Sequence, residues 1–87
     1  MTHTKAWQLI EQVGWCQGQE VKRKRGVIVG YCARGAIYAV YSGDMRACWS
    51  AYGKVHAAIE DPYITQWNDA PERTKEHVVA IMKGVDV

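Results

Sequence analysis

Phenylalanine is absent from these 87 residues, and proline occurs only twice. No apolar stretch is long enough to span a bilayer: the longest weakly charged run, Gly26 to Tyr41, has 16 residues and carries Arg34, against the roughly 20 apolar residues a transmembrane helix needs. The first residues show no apolar h-region and no small-residue cleavage site, so no secretory signal is expected and a cytoplasmic location follows. There is no GxxxxGK[ST], GxGxxG or HExxH, which leaves nucleotide, dinucleotide and zinc-protease chemistry without support. Cys16, Cys32, Cys48, His3, His56 and His77 include the ligand types of a zinc site, but no closely spaced Cys or His pair exists. No metal or other cofactor is expected.

What remains is an ordinary globular composition, 48% hydrophobic and 23% charged, so the chain has the means to fold. Its length implies one domain, residues 1–87, with a small core. Three cysteines cannot all pair within one chain, and in a protein that is not secreted they are expected as reduced, buried fillers. Of the 11 basic residues four are consecutive, Lys22-Arg23-Lys24-Arg25, leaving seven against nine acids elsewhere. Positive charge is therefore one local spike on a mildly acidic body, unlike the broad basic face usual in nucleic-acid-binding domains.

Apolar periodicity predicts a first helix from about Thr4 to Val13 on Ala6, Leu9, Ile10 and Val13, with Thr2 or Thr4 as cap and Gly14 as stop. Residues 14–30 break this rhythm. Glycines, the basic run and Val27-Ile28-Val29 predict a loop or a short β-hairpin turning near Arg25-Gly26. A second helix is expected from Tyr31 to Tyr41, with small residues allowing close approach of a neighbour. Ser42-Gly43-Asp44 then breaks and caps the chain before a third helix, whose stripe is Met45, Cys48, Trp49, Tyr52, Val55, His56 and Ile59. Asp61-Pro62 ends it, a short helical turn holds Tyr63 to Asn68, and Thr74 caps a last helix with Val78, Ile81 and Met82 inward. Most indole rings are expected inside. The fold class read from this pattern is all-α: a compact bundle of about four helices with a short basic insertion between the first two.

Three segments carry a further signal: Gly14-Trp15-Cys16-Gln17-Gly18, Tyr31-Cys32-Ala33-Arg34-Gly35-Ala36, and Ile64-Thr65-Gln66-Trp67-Asn68-Asp69-Ala70-Pro71 followed by Arg73-Thr74. In this order they resemble a family of small proteins of unknown function found in actinobacteria and their phages, over about residues 6–82. The resemblance implies a bacterial, plasmid or phage origin and an all-helical domain, and it supplies no reaction.

Candidate chemistry is sparse. Cys32, near a helix start, is the best nucleophile, with His56 and Asp69 as partners and Cys16 as an alternative, although burial would raise a thiol pKa. Trp67-Asn68-Asp69 gathers an indole and polar groups, yet an Asn-Asp pair before Pro71 is ordinary turn chemistry, with side chains bonding backbone donors around the next helix start. Lys22, Arg23, Lys24 and Arg25 suit an acidic protein partner or nucleic-acid phosphates. Four Trp and five Tyr exceed what so small a core can hold. Exposed rings among Trp7, Tyr38, Tyr41, Trp49 and Tyr63, with Trp67 and Asp69, would suit a protein-binding face or a homodimer. The functional expectation is a non-enzymatic binding or regulatory protein, phage or mobile-element encoded, that occupies a surface of a host protein or complex. A thiol-dependent enzyme and a nucleic-acid binder are the alternatives, and no membrane partner is expected.

Overall fold

The computed structural model describes residues 5–87. Thr2, Thr4 and His3 lie outside them. The elements are α1 (Ala6–Val13), β1 (Val21–Lys24), β2 (Val27–Tyr31), α2 (Ala33–Tyr41), α3 (Met45–Ile59), α4 (Ile64–Asn68) and α5 (Lys75–Gly84). None of these helices is long and apolar enough to cross a membrane.

The all-α expectation is corrected by this element order, which is a mixed α/β arrangement of five helices and a two-stranded antiparallel sheet. Two causes can be named. Arg25 and Gly26 both take positive φ, 54° and 80°, the two-residue geometry whose twist joins antiparallel strands. Tyr31, expected to open the second helix, instead ends β2: its N–H donates to the Gly14 carbonyl at 3.0 Å, and its own carbonyl accepts from Cys16 N–H at 3.1 Å. This bridge ties the strand to the segment after α1, so α2 starts at Ala33. The register is Val21↔Tyr31, Lys22↔Gly30, Arg23↔Ile28 and Lys24↔Val27, and a bulge between Lys22 and Arg23 leaves Val29 without a partner across the ladder.

Each helix buries one stripe. Ile10, Ile37, Val55, Val78 and Met82, one or two from each of the four longer helices, are fully enclosed, and each such side chain stabilises the fold by roughly 1.5–3 kcal/mol relative to exposure. Helix α1 packs on α2 and α5, and α2 packs on α3 and α4. Local caps agree with the sequence: the Asp44 carboxylate accepts from Arg46 and Ala47 N–H, and the Thr74 hydroxyl accepts from His77 N–H. At the other end of the chain Val87 is buried, its carbonyl accepting from Ala6 N–H and the Tyr41 hydroxyl.

The expected stripe of the third helix is too wide. Cys48, Tyr52 and Val55 are buried, whereas Met45 is 47% and Trp49 67% exposed. At about 100° per residue Trp49 stands a quarter-turn round from Cys48, beyond the reach of α2 and α5. Of the four indoles only Trp67 is buried; Trp7 and Trp15 are half-buried against the core.

Candidate functional site

Among the described residues Asn68, the last of α4, is the polar side chain enclosed in the core, with no solvent exposure. An amide side chain has two acceptor sites and two N–H donors, and here all four are used. Its Oδ1 accepts from the Trp15 indole at 2.7 Å and from Ala33 N–H at 3.0 Å. Its Nδ2 donates to the Cys16 carbonyl and to Asp69 Oδ1, both at 3.0 Å. Ala33 opens α2, so the bond to its N–H satisfies a donor that the helix itself leaves free.

The neighbours complete the fastening. Gln17 donates through Nε2 to the carbonyls of Asn68 and Ala70 at 3.0 and 2.9 Å. Asp69 Oδ1 also accepts from Gly18 N–H at 3.0 Å. Cys32 N–H donates to the Glu20 carbonyl, and a Cβ on Gly35 would lie 2.1 Å from that same oxygen. Only glycine permits this approach of α2 to the loop. A Cβ on Gly14 would likewise meet the Val29 carbonyl oxygen at 2.3 Å. On the outer side Arg73 lies over the Trp67 ring at 4.4 Å, donates through Nε to the Trp67 carbonyl, and meets His77 Nδ1 at 3.1 Å. The three sequence motifs therefore meet in one hydrogen-bonded junction.

Both candidate thiols belong to that junction. Cys32 caps α2, its sulfur accepting from Gly35 N–H at 3.3 Å. Burial raises its pKa, outweighing the opposing help of the Gly35 and Arg34 backbone N–H groups. Cys16 donates to the Gln19 carbonyl. Burial also raises its pKa, with the Asp69 charge adding to the rise and Lys22 opposing it. Among the described residues no hydrogen bond or ion pair joins Cys32, His56 and Asp69, and no three His, Cys, Asp or Glu side chains come together as metal ligands. A buried, protonated thiol without a neighbouring base is not an activated nucleophile.

Unspent side chains lie elsewhere. A groove of about 200 Å³ between α3 and the start of α4 is lined by Arg34, Trp49, Tyr52, His56, Pro62, Tyr63, Ile64 and Thr65. Trp49 and Tyr63, 67% and 60% exposed, stand on its rim, and the Trp49 ring meets Tyr52 edge-on at 5.9 Å. Arg34 lies over the Tyr52 ring and is ion-paired with Glu20. Arg34 and His56 are the basic lining residues, and no carboxylate lines the groove. Of the other expected surface residues, Tyr38 is exposed on α2, Tyr41 is half-buried through its bond to Val87, and Trp67 is buried under Arg73. Lys22, Arg23 and Lys24 project from β1 and Arg25 from the turn, all exposed.

These features define a class: a small α/β protein whose described residues form five helices and a two-stranded ribbon, with a buried asparagine joining α4 to the start of α2 and to the segment after α1, and with aromatic and basic surfaces outside. More particularly, the chain belongs to the family of unknown function DUF6197, whose sequence model matches residues 2–85. No curated protein and no solved structure matches it.

Proposed function

We propose that this protein is a non-enzymatic binding module that holds a protein partner at the groove bounded by Trp49 and Tyr63. The observation that supports the reading is two large rings left on the surface around a cleft while the polar groups of the junction are bonded internally. Exposed Trp and Tyr over an apolar floor are the usual material of binding hot spots. At about 200 Å³ the groove is smaller than the roughly 300–1,000 Å³ of small-molecule sites, and it suits one or two side chains of a partner. With Arg34 already paired to Glu20, the lining offers mainly aromatic and aliphatic surface, and the fitting segment carries a bulky apolar side chain. Given the resemblance to proteins of actinobacteria and their phages, the partner under this reading is a host protein.

Affinity capture from extract of the source organism, with wild-type protein and a Trp49→Ala/Tyr63→Ala variant side by side, tests the proposal. A protein retained by the wild type and lost from the folded variant supports it. Equal retention by both contradicts it, as does turnover by the purified protein that a thiol reagent abolishes.

A further inference from the structure

We propose that the β1–β2 hairpin is a second binding surface, a basic ribbon that enters the major groove of duplex DNA. Lys22, Arg23, Lys24 and Arg25 are all exposed, and among the described residues none forms an ion pair with a carboxylate. The acid adjoining the strand, Glu20, is held by Arg34 instead, so the ribbon's charge stands uncompensated. Strand alternation separates the cations: Lys22 and Lys24 share the side of Gly30 and Val27, while Arg23 shares the other with Ile28, and Arg25 sits at the tip. Ile28, on the side of Arg23, packs against the core, so the outward side carries Lys22 and Lys24, with Arg25 at the tip. A groove has phosphates along both walls, and the major groove of B-form DNA, about 12 Å wide, admits a two-stranded ribbon. The ribbon ahead of Tyr31 carries no aromatic residue, the usual anchor of a protein-binding hot spot. Outside the ribbon the chain has seven basic residues of its 11 against nine acidic ones, so contact is confined to the hairpin and the affinity is modest.

Fluorescence anisotropy with a labelled duplex of about 20 base pairs reads this directly. Four phosphate contacts imply that affinity falls about 10²-fold between roughly 50 and 200 mM salt. A Lys22→Gln/Arg23→Gln/Lys24→Gln variant, folded by circular dichroism, should bind at least about tenfold more weakly with a shallower salt slope. If the triple variant does not fold, Arg23→Gln and Lys24→Gln are measured singly, each expected to reduce the slope by about one. The proposal is overturned if the duplex does not bind at the lower salt, or if neutralising these residues leaves binding unchanged. Equal binding of a single strand overturns the groove argument, and equal competition by polyglutamate would assign the ribbon to an acidic protein.

Discussion

Asn68 and Trp49 occupy each other's expected places. The amide is wholly enclosed and the Trp49 indole is two-thirds exposed. Each position is explained by what its atoms can bond. Enclosing Asn68 costs little because four partners replace water, whereas enclosing Trp49 would need a neighbouring element on a flank of α3 that none of the packed helices reaches. The contrast extends to whole regions. At the junction of residues 14–20, 31–35 and 67–73, polar groups and thiols are committed to one another; the rings on the groove's rim and the cations of the ribbon are open to solvent.

The sharpest way to break the contrast is Asn68→Ala. It strips partners from the Trp15 indole, Ala33 N–H and the Cys16 carbonyl, and at about 1–3 kcal/mol per buried unsatisfied group we expect a loss of about 3–5 kcal/mol by denaturant unfolding. Gly35→Ala should come next, at about 1–3 kcal/mol, since its Cβ must displace the Glu20 carbonyl. A loss below about 0.5 kcal/mol for either would show that the junction is loose.

Alkaline pH probes the same region without mutation. Cys16 and Cys32 are pushed above their ordinary 9.0, and Tyr52, buried beside Cys48, is pushed up to about 12 from 10.0. The unfolded chain therefore releases these protons at lower pH than the folded one, and stability present below pH 9 declines as pH rises toward 12. Melting temperatures across that range should fall; a flat profile would contradict burial of these groups. The smallest effect belongs to the other region. Trp49→Ala and Tyr63→Ala should each change stability by less than about 0.5 kcal/mol, and a larger loss would make those rings structural.

How much of this was legible in the sequence follows from the range of each interaction. The α1 and α3 periodicities, the Asp44 and Thr74 caps and the Arg25-Gly26 turn are written within a few residues and could be read there. Tyr31 could not be placed, because its partners are Gly14 and Cys16, and a helical pattern beginning two residues later masked the strand end. The Asn68-Asp69 pair reads locally as turn chemistry around the next helix start. Its bonds instead reach back 52 residues to Cys16 and 35 to Ala33, which no local rule specifies. For the groove the available signal was the width of the α3 stripe: an apolar face that continues to Trp49 has outrun what one neighbour covers.

The Trp15 and Trp49 indole N–H groups place both regions in one nuclear magnetic resonance spectrum, and their exchange with deuterated solvent is the most direct test. Trp15 Nε1 is bonded to the buried Asn68 while Trp49 is open to water, so we expect the Trp15 proton to exchange at least about 10³-fold more slowly, limited by global unfolding. Equal rates for the two would mean that the junction opens as freely as the surface, and the division between spent and available side chains would not hold.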